Sequence, residues 1–390
     1  MRNKPMIMIL LTMFFLIGIP IHIYAEDSTT ILQTQMDDMD FKEMEDLMIH
    51  LKQQSYQSFF QDFDFKTTVQ QAAKGELSLS VPTLLKKLVS ILLEEFYYQK
   101  NLMGKLMLLS IICALLKIFT TSFENKGVAE ISFYVIYMVL ILLLLQSFEV
   151  AVLIVEETVE SLVLIMQAMI PTLMSFLFLS GQVSTSSALH PIIIVAVQTI
   201  GFIIKTIVIP IIFFMTVLSL INQVSEKQVL KQWIGLLKQG IHWGLKTISG
   251  VFIAVLGLHS LTLPLMDNFL HKTTQYAVSS VPVVGMALAG AVDTVLNCSA
   301  LIKQAVGVGG ILLLGIFCVA PILKIVVFIL LYKLTAAIIQ PLGEERVVHC
   351  IDSIGESCQL LLGCLCIVSF LFIISITMMI GMTNLGGIIR

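Results

Sequence analysis

Residues 188–221 read ALHPIIIVAVQTIGFIIKTIVIPIIFFMTVLSLI, a run of 34 residues with a single Lys, Lys205, and no acidic residue. A bilayer core about 30 Å thick takes roughly 20 apolar residues as a helix. Lipid offers no partner to a bare backbone N–H or C=O, so a run this apolar is read as membrane-embedded and helical. It is longer than one crossing needs, and Lys205 and Pro210 lie near its midpoint. A turn there would make it two short passes or a kinked re-entrant pair.

The rest of the chain is of the same kind. Of its 390 residues 57% are hydrophobic and 13% charged, and its mean hydropathy of +0.95 excludes a soluble domain. The expected fold is all-α and polytopic, with about 7–8 transmembrane helices drawn at 102–119, 131–148, 161–180, 188–221, 248–266, 305–331 and 359–381. Ahead of them, residues 1–25 read as a signal peptide or signal anchor, with Arg2 and Lys4 before an apolar run from Met6 to Ile21. Residues 26–100 read as an acidic, amphipathic, helical extracytoplasmic region; the first part, 26–64, carries ten Asp or Glu against Lys42 and Lys52. A first membrane bundle is expected over 101–221 and a second over 248–390, with a Gly-rich core segment at 280–310.

Between the bundles, residues 222–247 carry Lys227, Lys231, Lys238 and Lys246 and should be cytoplasmic by the positive-inside rule. If 26–100 is outside and each drawn span crosses once, this segment falls on the wrong side. Two passes within 188–221 would repair the count, and EVAVLIVEETVE at 149–160 would be an external loop. On a helical wheel Lys227, Lys231, Lys238 and His242 cluster opposite Val229, Trp233, Leu236 and Trp243. That pattern suits a helix lying on the membrane surface, with lysines toward lipid headgroups and Trp233 and Trp243 at the interface. A partner-docking helix is the alternative.

The C-terminal third holds the candidate functional residues. In SVPVVGMALAGAVDTVLNCSALIKQAVGVGG, after Pro282, small residues stand four apart at Gly285 and Ala289, and Asp293 and Asn297 continue that helical face. Such a stripe admits a close helix crossing with polar groups for interhelical hydrogen bonds. Gly307, Gly309 and Gly310 then permit a break or a tight crossing. Lys303, Pro321, Lys324, Lys333, Gln340 and Pro341 complete the set of channel-lining or helix-packing candidates. Asp293, Lys303, Lys205 and Lys324 should face a bundle interior, an aqueous cavity or the interface rather than acyl chains. Lysines can also snorkel, but an Asp is too short to do so.

Enzyme chemistry finds no footing. There is no G-x-x-x-x-G-K-[ST] loop and no H-E-x-x-H, and the seven histidines lack ligand spacing. No catalytic residue, metal, cofactor or nucleic acid is expected. The seven cysteines sit in or beside apolar runs as small buried hydrophobes.

The series SSVPVVGMALAGAVDTVLNCSALIKQAVGVGG, APILK, LLYKLTAAIIQPLG and SIGES resembles the stage III sporulation protein AE family. FDFKTTVQQAAKGELSLS, SFENKGVAEISFYVIY, MIPTLMSFLFLSGQVSTSSALHP and VIPIIFFMTVLSLIN extend the resemblance from about residue 60 to the end. It implies a multi-pass protein of the mother cell membrane surrounding the forespore. It implies membership of a transenvelope channel or secretion-like complex required for late forespore sigma factor activity. The implied partners are other stage III sporulation A-operon proteins, including a cytosolic ATPase and ring-forming subunits, and the stage II sporulation protein Q complex. A scaffold without a pore and a gradient-driven small-solute transporter are the competing readings.

Overall fold

The computed structural model describes residues 64–74, 81–122, 126–224, 229–279, 284–341 and 345–381, over some stretches, among them 284–295, by backbone alone. The expected signal segment, most of the acidic region, Lys227 and Pro282 lie outside the described residues. All regular structure among them is helical: α1 (Phe65–Lys74), α2 (Val81–Ser122), α3 (Lys126–Leu179), α4 (Val183–Ile203), a π-helical turn (Ile204–Val208), α5 (Ile209–Val224), α6 (Lys231–Ser279), α7 (Val284–Ile339) and α8 (Glu345–Gly381).

Five stretches are long and apolar enough to cross a membrane: Tyr134–Leu179, Val183–Val224, Lys231–Ser260, Cys298–Ile339 and Glu345–Gly381. This is an all-helical membrane protein. The first of these runs for 46 residues, about 69 Å at 1.5 Å per residue.

Three expected breaks are absent, each for a local reason. Residues 149–160 were expected as an external loop, yet α3 runs through them unbroken. Their apolar members keep the helical period, so Ala151, Val152, Val155, Val159 and Leu162 all point into the core. The turn expected within 188–221 is also missing, because the chain stays helical from Val183 to Val224. Pro210 has no N–H and its ring crowds the carbonyl four residues back. The wider π turn absorbs this at Ile204–Val208, with Ile209 N–H donating to the Ile204 carbonyl. Finally, the basic segment expected to end at 247 as a separate surface helix is the start of α6. One buried stripe, Ile241, Leu245, Phe252 and Leu256, passes straight through that boundary.

These differences change how often the chain traverses the bundle. α3 packs against α7, with Ser147 beside Tyr332 (Oγ to Oη 2.6 Å) and Met169 beside Gly310, so the two run antiparallel. α3 and α4–α5 are antiparallel as well, since Gly201 meets Val163 and Phe213 stacks on Phe148 at 6.1 Å. α7 and α8 form another antiparallel pair, joined by Lys333–Asp352 at one end and Gly307–Ile380 at the other. Each helix from α3 to α8 therefore traverses the bundle once, α4 and α5 counting as one. Merging 131–148 with 161–180 into α3 removes the extra pass that had demanded a turn at Lys205. The connection after Val224 lies at the end of the bundle opposite α1, whose Phe65 and Val69 pack on Gly309.

The two expected bundles meet in one core. α8 lies against α3, α5, α6 and α7, and its buried residues run from Val347 to Met379.

Candidate functional site

The glycines of α7 make a crossing, not a break. A Cβ on Gly307 would sit 2.3 Å from Ile380 Cγ1, one on Gly309 2.8 Å from Val69 Cγ2, and one on Gly310 2.1 Å from Met169 Cε. Three helices, α8, α1 and α3, thus converge on a single turn of α7. One turn before it, Lys303 is fully buried, and its Nζ finds no hydrogen-bond partner among the described residues. An amine in that position is costly in either protonation state, since burial penalises the charged form and the neutral form still lacks a bond.

About three turns further toward the start of α7 stands a feature the sequence did not reveal. α3 ends in a Schellman turn: Gly181 has φ +83°, Gln182 N–H donates to the Leu177 carbonyl and Gly181 N–H to the Phe178 carbonyl. α4 then begins with no capping side chain of its own. The carboxylate of Asp267, buried on α6, accepts from Ser184 N–H at 3.0 Å and Thr185 N–H at 2.8 Å. It thereby satisfies two of the four donors that every helix start leaves open. Leu296 of α7 packs over Gly181 from the other side, 3.3 Å from where a Cβ would be. The expected span 248–266 stops one residue before Asp267; a lone acid within LTLPLMDNF was the available signal.

At the opposite, basic end, α8 presents Asp352 and Glu356 on successive turns. Lys333 of α7 pairs with Asp352, and Lys238 of α6 pairs with Glu356 at 2.8 Å. Asn222 Oδ1 accepts from Leu230 N–H at 2.9 Å and ties off the α5–α6 connection. An open cleft of about 260 Å³ there is lined by Ser219, Asn222, Gln223, Lys231, Ile234 and His349. Gln340 and Pro341 are exposed on the turn that closes α7. Lys324 is half-buried, and Pro321, buried, lies inside continuous helix one turn earlier. Trp233 and Trp243 are exposed on α6. Gly285, Ala289, Asp293 and Asn297 lie on the helical backbone of α7, ahead of the crossing.

Midway along the bundle runs a further set of charges. Glu160 of α3 pairs with Lys205 of the π turn at 2.6 Å, the two side chains 58% and 43% exposed. Glu149 and Glu157 on α3 and Lys246 on α6 are exposed too. At the centre of a lipid-facing helix a Lys costs about 2.5–3.5 kcal/mol, so Lys205 and Lys246 would be costly against acyl chains at that depth.

Residues 63–383 match the stage III sporulation protein AE family. The chain belongs to that family. Stage III sporulation protein AE of Bacillus subtilis (strain 168) is 32% identical over 321 residues, covering 82% of this chain and 80% of that protein. No solved structure matches. The match to the stage III sporulation protein AE family begins just before α1 and ends just after α8, so the crossing, the Asp267 clasp and the paired charges all lie within the family's extent, and the chain's role is in sporulation.

Proposed function

We propose that the chain is a membrane-embedded component of the transenvelope channel or secretion-like complex linking mother cell and forespore, and that it has no enzymatic activity of its own. The observation that carries this reading is the height of the bundle. Helices of 42 and 46 residues are about 63–69 Å long, whereas a bilayer with its headgroups is about 40–45 Å. Such a bundle projects from the membrane, and apolar surface outside lipid is covered by other subunits. That suits a part of a larger assembly better than a self-contained carrier. The family's sporulation role supplies the setting.

In this reading the Asp267 end, where α1 packs, faces the forespore. The basic end, with Lys231, Lys238 and Lys333, faces the mother cell cytosol and its ATPase subunit. An exported reporter enzyme fused within 180–182 should therefore be active, and one fused within 225–228 inactive. The reverse pattern, or activity at both sites, would refute the orientation.

The function itself is tested by removing charge at depth. Lys303→Met deletes an amine with no partner among the described residues, so the protein should accumulate at least as well as the parent. Lys303→Met, Asp293→Asn and Lys324→Met should nevertheless each lower spore yield by about tenfold or more, because ionisable groups within membrane helices are kept for function. Normal yield from all three would remove the support for a conduit. Normal yield together with loss at the glycine crossing would favour a pore-free scaffold, and solute uptake by the purified chain alone in vesicles would favour a transporter.

A further inference from the structure

The mid-height charges fall into an acidic set on α3 and a basic set on α6, and their positions match. α4–α5 lies between these helices and touches both. Glu160 meets Lys205. On the other side of α4–α5, Thr185 meets Asp267 and Asn222 meets Leu230, which puts Lys205 level with residues next to Lys246. Counting along the helices from these contacts, Glu157 comes within about one turn of the height of Lys246, and Glu149 within about one turn of Lys238. The acidic pair and the basic pair have the same spacing of eight residues. Both helices run in the same direction, from the basic end to the Asp267 end.

Glu157 and Lys246 are exposed and make no ion pair among the described residues. Apolar side chains flank both: Val150, Leu153 and Leu164 on α3, Trp243, Val251 and Leu258 on α6, all exposed. α6 is also the least covered of the five apolar helices, with 22% of its most apolar window buried. Each helix therefore has uncovered apolar residues around an exposed charge, and the two charges are of opposite sign.

We propose that this surface is covered by a second copy of the chain, with α3 of one copy against α6 of the other and Glu157 opposite Lys246. Rotation about an axis parallel to the helices is the one kind of symmetry that keeps each residue at its own depth in a membrane. Under it the acidic face of one copy meets the basic face of the next in register. The ion pair forms away from lipid, and the flanking apolar residues exclude water from it. The proposal concerns self-association and stands apart from what the complex conducts.

The test uses two differently tagged full-length chains expressed together in native membranes, one carrying Glu157→Cys and the other Lys246→Cys. The seven native cysteines are buried, so chains without an introduced cysteine set the background. Mild oxidation should give a mixed-tag adduct of twice the chain mass. Pairing either variant with Leu93→Cys, exposed on α2, should give none. In a second arm, Glu157→Lys or Lys246→Glu in both tagged chains should lower co-purification of the tags about tenfold, and the two reversals combined in each chain should restore it. No mixed adduct, equal adduct with Leu93→Cys, or single reversals that leave co-purification unchanged would each overturn the proposal. Ready labelling of Glu157→Cys by a membrane-impermeant thiol reagent in the assembled complex would overturn it as well, by showing an aqueous face.

Discussion

Leucine at Gly307 should all but abolish accumulation of the protein in the membrane. The Cβ alone would lie 2.3 Å from Ile380 Cγ1 and 2.4 Å from its Cδ1, and a β-branched Ile on a helix has essentially one χ1 position to offer. Relief must come from separating α7 and α8, the most extensively packed pair in the bundle. Overpacking a dense core typically costs about 1–3 kcal/mol, and a leucine adds three carbons beyond the Cβ that already clashes. The other glycines of the crossing should grade below it. Gly310→Ala meets the far end of Met169, an unbranched side chain that can swing away, so it should be milder than Gly307→Ala. A Cβ on Gly363 of α8 would have nothing within 4 Å, and alanine there should be neutral or slightly stabilising by helix propensity. Immunoblots of membranes and thermal denaturation in detergent would rank the series. Equal levels for Gly307→Leu and Gly363→Ala would refute the close crossing.

Loss of the Asp267 carboxylate should be the next most damaging change. Asp267→Ala leaves the Ser184 and Thr185 N–H groups without their acceptor at a partly buried helix start, at an expected cost of about 1–3 kcal/mol for the orphaned donors. Asp267→Asn should fall between the parent and alanine, because an amide oxygen accepts one of the two bonds while its NH₂ faces the other donor. Limited proteolysis of the detergent-solubilised protein would report this locally. Cleavage near Ser180–Gln182 should rise in the order parent, Asn, Ala. An alanine variant as resistant as the parent would show that the clasp does not hold the turn.

Much of this molecule was legible in its sequence. Long apolar runs admit only helix in lipid, and the glycines at 307, 309 and 310 offered either a break or a tight crossing. The tandem of Lys205 and Pro210 did mark an irregularity, which became a π turn and not a reversal. What misled was the use of bilayer thickness as a ruler. Four glutamates within 149–160 made a boundary look necessary, which split α3 in two and in turn called for a second split at Lys205; neither is present. The helical period of the apolar residues between those glutamates held the contrary signal, since a loop has no reason to keep one face buried.

Asp267 and the partners of the lysines were beyond reach for another reason. Whether Lys333 meets Asp352, Lys238 meets Glu356 and Lys205 meets Glu160 depends on the relative heights and rotations of separate helices. By contrast, composition and hydrophobic period act along a single chain segment, so the sequence by itself determined the solvent and the helical class. Only the tertiary structure decided which rods are neighbours, how far each stands along the others, and therefore which charges are paired inside one copy and which are left facing outward. Those choices come from side chains dozens to hundreds of residues apart fitting together at van der Waals distance.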